Sequence, residues 1–274
     1  MAIIDFFTFN HKDSYKYIEF QKKIAEKLLS GKHSIKWKCI ESVQADKIPE
    51  GYAQLATTPY TGHNSHTHAI AINRAVELVE EKYVIIVDGD VAILYEGWDD
   101  LVVQKLNSGI ACFGGSYHDE TPRYKDFPCV YFFAYRSDML GPTELDFRPE
   151  VEIGKDPVKR LTVRTPEQSQ CFNRPVGYQI KCDTGWKLPL LIRPKLLRGE
   201  AMKCFHSRDK GSLLPYRDKK QKKFCQQKPT HMAEWQYGGK LFGTHKQASR
   251  SHPLSSEWGC AWKDRIELFL ERMG

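Results

Sequence analysis

Residues 83–94 read YVIIVDGDVAIL, and this stretch decides the fold. Five residues, all β-branched or aromatic, run without a polar break into Asp88, Gly89 and Asp90. A half-exposed strand would place a polar residue at every second position. The unbroken run instead predicts an interior strand of a sheet covered on both faces by helices. Sheets of that kind gather ligands at the C-terminal edge of their strands, and here that edge carries two carboxylates. Asp88 and Asp90 can share one hard cation, with a phosphate completing its shell. Gly89 leaves room for a ligand against the backbone.

Outward from this strand the chain alternates apolar runs with amphipathic ones. Residues 3–9, IIDFFTF, predict a first strand, and Asp13 or Ser14 is placed to cap a helix running to about residue 29. That helix carries Tyr17, Phe20, Ile24, Leu28 and Leu29 as a stripe for packing on a sheet. Residues 35–40 predict a second strand, and strand, helix, strand is a nucleotide-binding half-fold in outline. Downstream, residues 98–106 predict a helix and residues 109–117 a strand, where Gly114 and Gly115 imply close approach of backbone or ligand. Residues 128–140, PCVYFFAYRSDML, predict a buried strand with a helix starting at Ser137. Residues 141–180 are polar and irregular and define no firm element.

Residues 68–94, HAIAINRAVELVEEKYVIIVDGDVAIL, resemble the nucleotide-sugar core of glycosyltransferases with the GT-A fold, particularly the family 2 type. That family shows a loop ending in Asn, a helix, an apolar strand and an Asp-x-Asp in this order. The resemblance covers residues 2 to about 210 in outline, with specific motifs in 68–94 and 182–212. It implies an α/β fold with a central, mostly parallel sheet flanked by helices: a catalytic core over residues 1–186 and a C-terminal extension over 187–274 that completes the site and its acceptor side. It implies Thr8, Asn10 and Glu41 at the base and ribose of a nucleotide-sugar donor, a UDP-sugar first. His68, Asn73, Arg74 and Asp88 then pass the diphosphate, with Asn73 and Arg74 opening a helix whose N-terminus suits an anion.

Residues 182–186, Cys-Asp-Thr-Gly-Trp, followed by KLPLLI, resemble the Glu-Asp turn and helix where inverting members carry their base. Cys182 stands in place of the Glu, which leaves Asp183 as general base and Trp186 on the acceptor side. Residues 204–212, CFHSRDKGS, resemble the late histidine segment of the fold. They make His206 the third metal ligand beside Asp88 and Asp90, with Arg208 and Lys210 on phosphate and His245 as the rival histidine. An oxygen-rich site of this kind suits Mg2+, and a histidine ligand tilts it toward Mn2+.

Charged residues at 27% and hydrophobic residues at 41% describe an ordinary globular chain. No apolar run approaches the roughly 20 residues needed to span a bilayer, and the opening MAIIDFFTF lacks a signal peptide's basic flank. A cytoplasmic setting is the expectation, the host's cytoplasm if the chain is viral. The eight cysteines, spread from Cys39 to Cys260 with no Cys-x-x-Cys pair, read as reduced. His63, His66 and His68 are close together but do not follow a recurrent zinc spacing.

The charge is uneven. Residues 187–228 hold thirteen Lys or Arg against Glu200, Asp209 and Asp218, an excess of ten in a chain whose total is +7. Basic residues interleaved with Phe205, Tyr216 and Phe224 can track a phosphate backbone and stack on bases. The expected acceptor is therefore DNA bearing a hydroxylated base, contacted by Tyr216, Lys219, Lys220, Lys222 and Lys223, with a glycan or lipid acceptor as the alternative. Two other classes compete: a nucleotidyltransferase, disfavoured because residues 6–14 contain no glycine, and a non-catalytic nucleic-acid-binding protein.

Overall fold

The computed structural model describes residues 1–11, 14–42, 45, 47–151, 158–227, 232–246 and 253–273. The first strand β1 (Ile3–Asn10), helix α1 (Tyr15–Lys27), β2 (Ser34–Ser42), β3 (Ala53–Thr58), α2 (Asn64–Glu77) and β4 (Tyr83–Val87) form the N-terminal half. β1 lies parallel between β2 and β4, and β2 parallel to β3. Val84 to Val87 are fully buried, as an unbroken apolar run requires. The expected α/β class holds, with one parallel half-sheet built in the expected order.

The next elements are β5 (Val91–Ile93), α3 (Trp98–Asn107), β6 (Cys112–Gly115) and β7 (Phe132–Arg136). β7 is antiparallel to both β4 and β6. Gly114 and Gly115 mark close approach to protein: a Cβ on Gly114 would lie 2.1 Å from the carbonyl oxygen of Phe132, and one on Gly115 2.3 Å from the Trp235 ring. Gly89 is explained similarly, because its Cβ would meet Ile18 of α1 at 2.7 Å. The room that the sequence suggests for a ligand is filled by a helix side chain. No helix starts at Ser137; its hydroxyl donates to the Glu81 carbonyl at 2.8 Å and the chain turns there.

The stretch without a firm prediction contains β8 (Arg160–Thr162), α4 (Pro166–Phe172) and β9 (Gln179–Lys181), with β8 and β9 paired in a small antiparallel sheet. Thr165 caps α4, accepting from Gln168 N at 3.2 Å. The corresponding expectation for α1 is not met: the Ser14 side chain makes no capping bond to it and instead bonds Asn10 and His11. Asp13 lies outside the described residues.

After α5 (Leu188–Ile192) come β10 (Gly199–His206), α6 (Lys219–Gln227), β11 (Met232–Tyr237), β12 (Lys240–Lys246) and α7 (Glu257–Met273). The strand order of the main sheet is β3-β2-β1-β4-β7-β6-β10-β11-β12-β5. β10 runs parallel to β6, and the rest of that end is antiparallel. There is no seam in the sheet at residue 186, since β10, β11 and β12 continue it. α7 is held to β11 by a fully buried pair, Arg265 Nη2 to Glu234 Oε1 at 3.1 Å. β4 and β5 stand far apart in the strand order but adjoin in the chain, separated by residues 88–90. The last strand of the sheet is therefore tied back to its middle through the Asp-Gly-Asp turn, which brings β12 to that turn.

Candidate functional site

The turn after β4 is built before any ligand is considered. Asp88 N donates to the Tyr131 carbonyl at 3.0 Å, and Val91 N donates to the Asp88 carbonyl at 3.1 Å. Gln21 of α1, fully buried, donates through Nε2 to the carbonyls of both Asp88 (2.7 Å) and Val91 (2.8 Å). One amide thus fixes both ends of the turn and aims two carboxylates at the same space.

β12 supplies the third group. His245 stands opposite Val91 in the β12–β5 register, and Lys246 N donates to the Asp90 carbonyl at 2.9 Å. His245 Nε2 is then 3.2 Å from Asp90 Oδ1 and 3.9 Å from Asp88 Oδ2. One donor atom from each of Asp88, Asp90 and His245 falls within 4.8 Å of the others. The imidazole packs between Tyr131, at 4.2 Å between ring centroids, and Trp235, nearly parallel at 10°. Two carboxylates and one imidazole, at the end of a strand and open on one side to a cleft, fit a divalent ion of the Mn2+ or Mg2+ type. Lys246 is fully buried near Asp90, and burial lowers its pKa to about 8 against the opposing pull of that carboxylate.

The cleft has a volume of about 400 Å³. Its floor is Asp88, Gly89, Asp90 and His245, one side is Phe9, His11 and Ser14, and the other is Asn64, Ser65 and His68 from the first turns of α2. His68 Nε2 lies 3.0 Å from Asp88 Oδ1. The positive end of the α2 dipole therefore faces the cleft.

The far wall is Tyr117, Arg123, Tyr131, Asp183 and Thr184. Asp183 accepts from Thr184 N at 2.8 Å and pairs with Lys181 Nζ at 3.0 Å. Burial by itself would raise its pKa, but the Arg123 charge, the Ser65 hydroxyl, Lys181 and the Thr184 N–H outweigh it and hold the carboxyl well below the usual carboxylate range. Arg123 is itself 3% exposed, donating through Nη2 to the Tyr117 hydroxyl at 2.8 Å and to the Thr184 carbonyl at 2.6 Å.

Of the residues to which the sequence assigns donor, metal, acceptor or catalytic roles, Asp88, Asp90, His68, Asp183 and His245 meet in this cleft, and the others lie elsewhere. Thr8 is fully buried inside β1. Asn10 and Glu41 are spent on each other, with Asn10 Nδ2 to Glu41 Oε1 at 3.2 Å and Gln54 Nε2 to Glu41 Oε2 at 2.9 Å. Because strand side chains alternate, the cleft receives Phe9 and His11, one residue out of step with the prediction. Asn73 and Arg74 do not open a helix. They sit near the C-terminal end of α2, where Asn73 Oδ1 accepts from Phe147 N at 3.1 Å and Arg74 pairs with Glu77. Trp186 is 5% exposed in the core.

His206 does not join the aspartates. It ends β10 in a neighbouring cavity, its ring stacked on His118 at 3.7 Å, and burial, then His118, lowers its pKa to about 4. Arg208 pairs there with Glu120, and Lys210 is exposed. Lys219, Lys220, Lys222 and Lys223 are exposed on α6. Tyr216 bonds the Ser207 carbonyl beneath the Arg265 guanidinium, and Phe224 packs at a tilt on Trp258, 4.3 Å between ring centroids. Gln21, Ser65 and Arg123 were missed in the sequence. Only long-range packing distinguishes them from any other polar residue of a helix or loop.

No family model and no curated protein matches the chain in sequence. Solved structures do resemble it in part. One is a mannosyltransferase from Pyrobaculum calidifontis in complex with GDP-Man and Mn2+, at 13% identity and a TM-score of 0.40, over 53% of this chain and 47% of that one. Another is glucosyl-3-phosphoglycerate synthase from Mycobacterium tuberculosis in complex with Mn2+, UDP and phosphoglyceric acid, at 10% identity and a TM-score of 0.36, over 51% and 57%. A third is TarS of S. aureus in complex with UDP-GlcNAc, at 13% identity and a TM-score of 0.36, over 54% and 48%. The chain spans about half the length of these structures. Among the described residues no helix is long and apolar enough to cross a membrane.

Proposed function

We propose that the chain is a metal-dependent glycosyltransferase that moves a sugar from a nucleoside-diphosphate donor to an acceptor hydroxyl. The observation that carries this reading is the convergence of Asp88, Asp90 and His245 on one side of a cleft whose opposite wall presents Asp183. A divalent ion held by those three residues would neutralise the diphosphate as it leaves. The first turn of α2 adds backbone N–H groups directed at the same anion. His68 Nε2, 3.0 Å from Asp88 Oδ1, helps to hold that carboxylate in place.

Asp183 faces the acceptor. Held ionised by its neighbours, it accepts a hydrogen bond from the incoming hydroxyl and orients it. It then takes the proton as the new carbon–oxygen bond forms and the hydroxyl oxygen turns acidic. Attack from the side opposite the diphosphate inverts the anomeric centre. The exposed lysines of α6 support an anionic polymer as acceptor, DNA with a hydroxyl-bearing base first, although Tyr216 and Phe224 are held in packing contacts and take no part in opening a duplex.

The deciding experiment incubates the protein with a panel of nucleotide sugars and Mn2+, with and without modified DNA. Donor hydrolysis and mass addition to the DNA are read separately. Metal-dependent hydrolysis of one donor supports the transferase reading, and addition to DNA supports the acceptor. If no donor is consumed with metal, the reading is wrong.

A further inference from the structure

We propose a second metal site, separate from the cleft, formed by His118, Glu120 and His206 and suited to Zn2+. The topology creates it. β6 and β10 are parallel neighbours in register from Gly199↔Cys112 to Met202↔Gly115, and Ser116 N donates to the Met202 carbonyl at 3.0 Å. The loop leaving β6 and the end of β10 therefore reach the same edge of the sheet together. One donor atom from each of His118, Glu120 and His206 falls within 4.8 Å of the others.

The burial of His206 argues for an occupant. It is 3% exposed and its Nδ1 has no hydrogen-bond partner among the described residues. An unsatisfied buried ring nitrogen is costly, and a cation would accept its lone pair. Asp209 has the place of an outer carboxylate: its Oδ2 accepts from His206 N at 2.7 Å and lies 3.0 Å from His118 Nε2. Such a carboxylate fixes the tautomer and orientation of a ligating imidazole. The other ring nitrogen of His118, Nδ1, accepts from Glu120 N at 3.2 Å, a contact that an ion would replace. Glu120 is exposed, and its carboxylate would exchange its pairing with Arg208 for the ion.

Two imidazoles and one carboxylate match a zinc donor set with an open fourth position, unlike the oxygen-richer set in the cleft. That fourth position would face a cavity of about 320 Å³, which shares Tyr117 and Tyr131 with the cleft.

The test measures Zn2+ binding by equilibrium dialysis to the full chain in an Asp88→Asn/Asp90→Asn background, which removes the cleft carboxylates. Thermal melts confirm that each variant folds. One Zn2+ per chain should remain. Adding His206→Gln or His118→Gln should abolish it, and adding Asp209→Asn should weaken it about 10- to 100-fold. Co2+ in place of Zn2+ should give visible absorption that disappears with His206→Gln. The proposal is overturned if the Asp88→Asn/Asp90→Asn protein binds no Zn2+, or if binding is unchanged by both histidine variants.

Discussion

Asp183 shows how much of the site's chemistry is set by neighbours. With Arg123, Lys181 and Ser65 around it, its folded pKa lies below its unfolded value. The paired carboxylate therefore contributes stability above about pH 3.9, the unfolded value, and loses that contribution as the pH falls through the folded one. In a pH series of melts, the stability gap between the wild type and Asp183→Asn should be widest above that pH and should narrow below it. The same variant should bind donor normally and lose turnover by about a hundredfold or more. Equal loss of donor affinity would make Asp183 a binding residue instead. Asp88 and Asp90 were legible in the sequence because an apolar run ends on them. The choice between His206 and His245 was not, because each stands at or beside the end of a strand of mixed polarity. Only the pairing of β12 with β5, across more than a hundred and fifty residues, decides between them. Thr8 and Asn10 lie off the cleft for a smaller reason: a strand's facing is a matter of parity, and sequence patterning does not fix parity when both faces are buried.

At the scale of elements, the turn between β4 and β5 is only as firm as α1 makes it. Gln21→Ala removes the side-chain donor from the Val91 and Asp88 carbonyls, of which Asp88 keeps Val91 N, a loss of about 1–3 kcal/mol. Metal affinity should fall with it although Gln21 reaches only the backbone carbonyl of Asp88 and none of the ligating side-chain atoms. A calorimetric titration showing unchanged Mn2+ affinity in a destabilised Gln21→Ala protein would uncouple the turn from the helix. Gly89→Ala should destabilise by roughly 1–3 kcal/mol in thermal melts, through overpacking against Ile18. α1 was readable because its apolar stripe persists over several turns, and β1 and β4 because their apolar runs are nearly or wholly unbroken and, for β4, end on a polar turn. β8, β9 and α4 were not, since elements of three to seven residues carry too little pattern and are held by contacts with the rest of the fold.

Over the whole molecule, the sheet bends back on itself and brings residue 245 to residue 90, which makes one cleft from two distant parts of the chain. The C-terminal residues thus line the cleft through His245, and the concentration of charge in them is partly internal. Arg193 pairs with Asp126, Lys195 with Glu144 and Arg208 with Glu120. The four lysines of α6 remain exposed, and replacing Lys219, Lys220, Lys222 and Lys223 with Gln should flatten the salt dependence of duplex DNA binding by up to about 0.9 for each phosphate no longer neutralised. Donor hydrolysis should be unaffected. A variant with undiminished DNA binding would leave α6 as an ordinary solvated face. The central claim, that the Asp88–Asp90–His245 cleft binds a metal and a nucleoside diphosphate together, is tested most directly by calorimetric titration of UDP and GDP into the protein with Mn2+ and with chelator. Binding of at least one of them should require Mn2+, vanish in Asp90→Ala and His245→Ala, and survive in His206→Ala. Diphosphate binding that persists in chelator, or in Asp90→Ala, would contradict it.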